Sequence, residues 1–280
     1  MNQDPGTLTY VYAAAYLTEP LRAALAGLHG IYGTPVHPLA TDPPTAPTGT
    51  LPPLVFAASH VPAHDFNEHD LKNHFEDLHW LEAVARAHHD VVQALAARAT
   101  VLPLRMATVY QDDDRARSAL TAQHTTLRER LTQLAGHTEI GVKLYLAAPP
   151  PTTDTTPAAA APATTPGKAY LQRRRAQHHT RETLYGQAQQ AAAAMETTAA
   201  RYTTERVSHP VQSGALTTAE NLLNDAYLVP DELAHDFTTA LQDAARPFDG
   251  IRLEVTGPWA PYSFAAPPAP EPPAPDGPPS

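Results

Sequence analysis

"EIGVKLYLAAPPPTTDTTPAAAAPATTPGKAYLQ", residues 139–172, can be divided in two ways, and the division decides the fold. Its middle, residues 147–166, is almost entirely Pro, Ala and Thr. Proline removes backbone donors, and small side chains bury too little area to offset the entropy of ordering. The stretch therefore resembles an interdomain linker, and cutting there would leave "EIGVKLYL" (139–146) with the first half. The downstream pattern needs that strand. Gly167–Thr204 is a long alanine-rich helix, followed by strands at Glu205–Gln212 and Leu222–Val229. Asp231–Ala245 is a helix with Leu233, Phe237, Leu241 and Ala244 on one face, and Ile251–Thr256 is a last strand. With residues 139–146 in front, the order becomes β-α-β-β-α-β, the split arrangement called ferredoxin-like. Right-handed crossovers would place both helices on one face of a four-stranded antiparallel sheet. The Pro/Ala/Thr stretch is then an insertion, and the domain boundary falls near Gly136.

The first half is expected to be a separate α+β domain, residues 1–136. Strands are predicted at Thr7–Leu17, Ile31–Leu39 and Leu54–Val61, with a short helix at Pro20–Leu28. A long helix is expected over Glu68–Ala97, with Leu71, Phe75, Leu78, Leu81 or Ala85, His88, Val92 and Leu95 along its apolar stripe and Asp65 or Asn67 as its cap. "VLPLRMATVY" (101–110) reads as one strand, and the acids at 112–114 open a helix to about Leu134. Residues 40–53 and 265–280 are proline-rich like the insertion, the latter a disordered tail. The map is thus 1–136, then 137–264 with its insertion at 147–166, then 265–280.

Composition excludes several functions. The formal net charge is -10, from 29 acids against 19 bases, whereas a nucleic-acid binder normally carries a basic footprint. The absence of cysteine rules out a disulfide framework, a thiol nucleophile and a cysteine-ligated metal. No run approaches the roughly 18 apolar residues of a spanning helix. "MNQDPGTLTY" carries an acid where a secretory signal needs positive charge.

Candidate chemistry is sparse. His69, His74 and His79 recur at intervals that spread them around a helix, and the H-E-x-x-H spacing is absent, so no metal is expected. One of His88 and His89 must face the core stripe, where a neutral imidazole paired with an acid or a carbonyl is expected. No nucleophile elbow, P-loop or G-x-G-x-x-G occurs. Arg105, among apolar residues, either snorkels to a sheet edge or forms a partly buried pair with Glu82 or Asp90, the pair being favoured. "YLQRRR" (170–175) places Tyr170, Leu171 and Arg174 at the start of a helix, where the dipole disfavours cations; an acidic partner or a solvated face would account for it. In "GPWAPYSF" (257–264), Gly257 and Pro258 should stop the last strand. Trp259, Tyr262 and Phe264, spaced by Pro261, then anchor the chain as it folds back. They either dock across the seam between the domains or cap the second domain's own core.

Several stretches together resemble one family. "VLPLRMATVY", "EIGVKLYL", "GKAYLQRR", "NDAYLVP" and "LEVTGPWAPYSF" occur in the order found in the gas vesicle protein F/L family, and "HWLEAVARAHHDVV" is similar to that family's long helix. The closing G-P-W-x-P-Y-S-F is the most specific mark; Tyr227 lies within "NDAYLVP". "LRMATV" departs from the Arg-Phe-Gly-Thr run often present there, which bears on local packing. The resemblance covers about Leu8 to Phe264. It implies two α+β domains, the second a modified ferredoxin fold, and a role as an accessory protein of gas vesicle assembly in the cytoplasm. It implies contact with the small hydrophobic shell protein and with other accessory proteins, and neither catalysis nor a cofactor. The competing reading is a ligand-binding or enzymatic ferredoxin-like protein unrelated to vesicles, since that fold hosts many functions.

Overall fold

The computed structural model describes residues 6–41, 52–66, 71, 74, 76–146, 166–211 and 220–265. Within 166–181 it describes side chains at 174, 175, 178 and 179. The expectations for residues 42–51, for the insertion at 147–165 and for the tail from 266 lie outside the described residues, as do Asn67, Phe75 and His69. The chain divides into two compact units: His137–Trp259 forms one, and the residues up to Gly136 together with those from Ala260 form the other.

The first unit is built on β1 (Thr7–Tyr16), β2 (His37–Ala40), β3 (Leu54–Pro62), β4 (Val101–Pro103) and β5 (Val109–Tyr110). The strand order is β2-β3-β1-β4, with β5 also pairing β1, and all pairings are antiparallel. A register shift between Val11 and Ala13 marks a bulge in β1. It changes the facing parity, so Tyr10, Tyr12, Ala13 and Ala15 all enter one core. This accounts for the switch from alternating tyrosines to alanines along β1. That core is closed by α1 (Glu19–Leu25), α2 (Ala63–Phe66) and α3 (Leu78–Ala96). On α3 the buried residues are Val84, His88, Val91, Val92 and Leu95, a helical stripe. The helix begins later than the sequence pattern indicates. Asp77 caps it by accepting from the backbone N–H groups of His79 and Trp80, and Leu78 is 74% exposed.

The region after Pro103 also differs from expectation. The "VLPLRMATVY" stretch is two short strands with a turn between them, because the Ala107 N–H leaves the ladder for the Tyr10 hydroxyl at 2.9 Å. Asp112 then caps α4 (Asp113–Ala122), and α5 (His124–Leu134) follows as a separate helix where one was expected.

The second unit contains β6 (His137–Leu146), α6 (Pro166–Ala199), β7 (Glu205–Ser208), β8 (Asn221–Pro230), α7 (Ala234–Ala245) and β9 (Ile251–Trp259). Its antiparallel sheet has the order β7-β8-β6-β9. Alternate residues Ile140, Val142 and Leu144 of β6 pack with Ala191, Met195 and Ala199 of α6 and with Phe237 and Leu241 of α7. Both helices thus cover one face.

Gly257 and Pro258 do not end β9. The ladder skips from Gly141↔Thr256 to Glu139↔Trp259, so an extra residue bulges out and pairing resumes at Trp259. Proline is tolerated at such a bulge, where no donor is required. Gly257 has φ of 122°, and a Cβ there would lie 2.8 Å from the Glu139 carbonyl oxygen.

Candidate interaction surface

Beneath the surface of the first unit lies a chain of buried polar groups. The Tyr10 hydroxyl accepts from the Ala107 N–H and shares a hydrogen bond of 2.9 Å with His88 Nδ1. Burial pushes the His88 pKa down to about 4. The adjacent Tyr12 hydroxyl accepts from Ile31 N–H and bonds Ser59 Oγ. Gly30 leaves the room for it, since a Cβ there would meet that hydroxyl at 2.0 Å. Of the two histidines, His88 is therefore the core residue. His89 lies at the margin, stacked against Tyr262 with ring centroids 6.2 Å apart.

Tyr262 belongs to a segment that β9 hands to the first unit. The Ala260 N–H donates to Gln93 Oε1 of α3 at 2.7 Å, and Arg130 Nε of α5 donates to the Phe264 carbonyl at 2.6 Å. Phe264 and Ala260 are 1% and 3% exposed, and Pro261 is buried. Residues 260–264 thus pack with the first unit and not in a core of the second, where the sequence map placed them. Trp259 is corrected as well. At 38% exposure it is not a buried anchor; it ends β9, its carbonyl accepting from the Thr138 hydroxyl.

Beside this clasp the first unit carries a groove of about 470 Å³. Phe56, Leu102, Leu104, Tyr110 and Leu127 line it with Tyr262, while Gln123 and Thr126 sit at its exposed edge. Arg105 also lines it, and here the favoured sequence reading is overturned. Arg105 is exposed in the turn after β4, not in a strand, and among the described residues Glu82 pairs with Arg86 instead.

The remaining candidates do not converge on this groove. Tyr170 and Leu171 fall in the first turns of α6, where their side chains lie outside the described residues, and Arg174 is exposed. Tyr227 is buried in the second unit, donating to Asp225 Oδ2 at 3.2 Å. Arg206 binds the same carboxylate at 2.8 Å and Glu196 at 2.6 Å, so that cluster is internally paired.

One set of metal-ligating groups was missed in the sequence. His37, His60 and Asp113 bring one ligand atom each to within 4.8 Å of one another. Register explains it: His60 lies opposite Thr9 across β3 and β1, and His37, opposite Ala58, is its diagonal neighbour on the same face. Asp113 enters from the first turn of α4. His60 Nε2 lies 3.1 Å from Asp113 Oδ1, which also accepts from the Thr9 hydroxyl at 2.8 Å. Burial, then the neighbouring His60, pushes the His37 pKa down. Burial pushes the Asp113 carboxyl up, but Thr9 and the two histidines outweigh it and hold it below its ordinary value. These three residues run against the expectation that no histidine ligand set converges.

The family described as "Gas vesicle synthesis protein GvpL/GvpF" matches this chain over residues 8–266. "Gas vesicle protein L" of Streptomyces sp. (strain CB03234) is 36% identical over 261 residues, covering 92% of each chain. "Gas vesicle protein F2" of Halobacterium salinarum is 24% identical over 186 residues, 65% of this chain and 68% of that one. The crystal structure of the gas vesicle protein GvpF from Anabaena sp. PCC7120 has the same fold, with a TM-score of 0.61 at 18% identity over 93% of this chain and 96% of that one. Its counterpart from Microcystis aeruginosa gives a TM-score of 0.58 over 92% of this chain and 99% of that one. No helix among the described residues is long and apolar enough to cross a membrane.

Proposed function

The chain belongs to the GvpL/GvpF family of gas vesicle synthesis proteins, and on that premise we propose that it is a non-enzymatic accessory protein of gas vesicle assembly. It works in the cytoplasm at the growing vesicle, binding the small hydrophobic shell protein and other accessory proteins. The observation that carries this reading is the family match, which spans residues 8–266 and so reaches both units. The second unit is read as a modified ferredoxin-like domain, which the strand order and the placing of both helices on one face support.

The surface assigned to the shell protein is the groove beside the C-terminal clasp. Its lining is mainly apolar, matching a hydrophobic partner, and Arg105 and Thr126 give it a polar edge. The test is co-purification of the shell protein with the wild type and with Thr126→Glu. Thr126 is exposed, so a charge there alters the groove without entering the core. The expected result is loss of most shell-protein capture at an unchanged melting temperature. Full capture by the variant would remove the groove assignment, and no capture by the wild type would remove the partner.

A further inference from the structure

We propose that His37, His60 and Asp113 form a binding site for one divalent transition-metal ion of the zinc class. The donor set is two imidazoles and one carboxylate, which suits zinc, cobalt or nickel and not the all-oxygen shells of calcium or magnesium. The three ligands come from β2, β3 and the start of α4, so the first unit's sheet and helix position them independently. Ligand atoms around a tetrahedral zinc at about 2.0–2.1 Å stand roughly 3.3 Å from one another. Here His60 Nε2 and Asp113 Oδ1 are already 3.1 Å apart and all three lie within 4.8 Å, so small rotamer adjustments close the site.

Groups behind the ligands strengthen the assignment. Thr9, fully buried, holds the Asp113 carboxylate through its hydroxyl. The Pro35 backbone hydrogen-bonds His37, which orients the ring. Such outer partners fix ligand tautomer and direction at metal sites. Arg117, the nearby cation, is paired with Asp114 at 2.9 Å, which offsets its repulsion of an incoming ion. The His60 side chain is 39% exposed, so solvent reaches the site and water can complete the coordination. The bound ion would tie the β2–β3 edge of the sheet to the first turn of α4.

The experiment uses the full, tag-free chain, titrated with Zn2+ by calorimetry and with Co2+ by visible absorption. The expected result is one saturable ion per chain, with ligand-field bands from Co2+. Those bands should disappear, and affinity fall at least about tenfold, in His37→Gln, His60→Gln and Asp113→Asn. His74→Gln, a histidine away from the cluster, should bind as the wild type does. A second readout stays in the wild type: Co2+ should broaden the imidazole resonances of His37 and His60 before those of the other histidines. Broadening that begins elsewhere, or equal affinity in a His37→Gln/His60→Gln double variant, would overturn the site.

Discussion

Ala107 holds a backbone conformation, φ of 62°, that an L side chain enters at a cost of roughly 1–2 kcal/mol. It is kept there because its N–H must reach the Tyr10 hydroxyl. The position corresponds to the glycine of the Arg-Phe-Gly-Thr run from which this chain departs. Ala107→Gly should therefore raise the unfolding free energy by on the order of 1 kcal/mol, the relief of strain exceeding glycine's extra chain entropy. Denaturant titration would register it, and a loss of stability would mean that the turn is not strained. His88 at the other end of that hydrogen-bond chain makes stability depend on pH. Its pKa is ordinarily 6.5 and falls to about 4 in the fold, from burial first and the neighbouring His89 second, with the Leu104 backbone opposing. An unfolded chain thus takes up a proton as pH falls through 6.5, while the folded chain refuses it until about 4. The contribution is complete above 6.5 and lost on descending toward 4, about 2 kcal/mol of it between pH 7 and pH 5. The rings of Tyr10, Tyr12 and Tyr262 pack against His88, and the His89 imidazole next in the chain also acts on it. His88→Leu should flatten the dependence by that amount, and an unaltered slope would exclude His88 as its source.

Among the elements, the passage from β9 into the closing segment is where burial decides energetics. Phe264 is enclosed and its carbonyl is held by Arg130, whereas Trp259 stands 38% exposed at a strand end. Phe264→Ala should cost about 3–5 kcal/mol and Trp259→Ala about 1 kcal/mol or less. Chemical denaturation of the two variants separates them, and a larger loss from Trp259 would reverse the ranking. In the second unit β6 and α7 were legible in the sequence because each carries its own period, and α6 because it is rich in alanine. "EIGVKLYL" alternates, and Phe237 and Leu241 recur at helical spacing. The 101–110 stretch misled because Thr, Val and Tyr favour strands, while the turn is imposed by a tyrosine almost a hundred residues away. Trp259 misled because size was taken for burial. The cluster at 37, 60 and 113 was illegible for a different reason. It arises from strand register, which no local spacing records.

At the scale of the whole molecule, the first unit is discontinuous in sequence. The chain leaves it after Gly136, builds the second unit, and returns at Ala260. The exit was marked in the sequence, because a glycine, Gly136, follows a helical stretch. The return was not, since Ala260 follows β9 without a punctuating loop. A ribosome thus delivers every residue of the second unit before Phe264, and the first unit waits for its last pieces. At translation rates of roughly 5–20 residues per second the wait is on the order of ten seconds. Through that interval the Arg130 guanidinium and the Gln93 amide lack the backbone groups that they hold in the finished protein. Order of synthesis and order of completion are therefore inverted: the part begun first is completed only once the segment after β9 has emerged and closed over it.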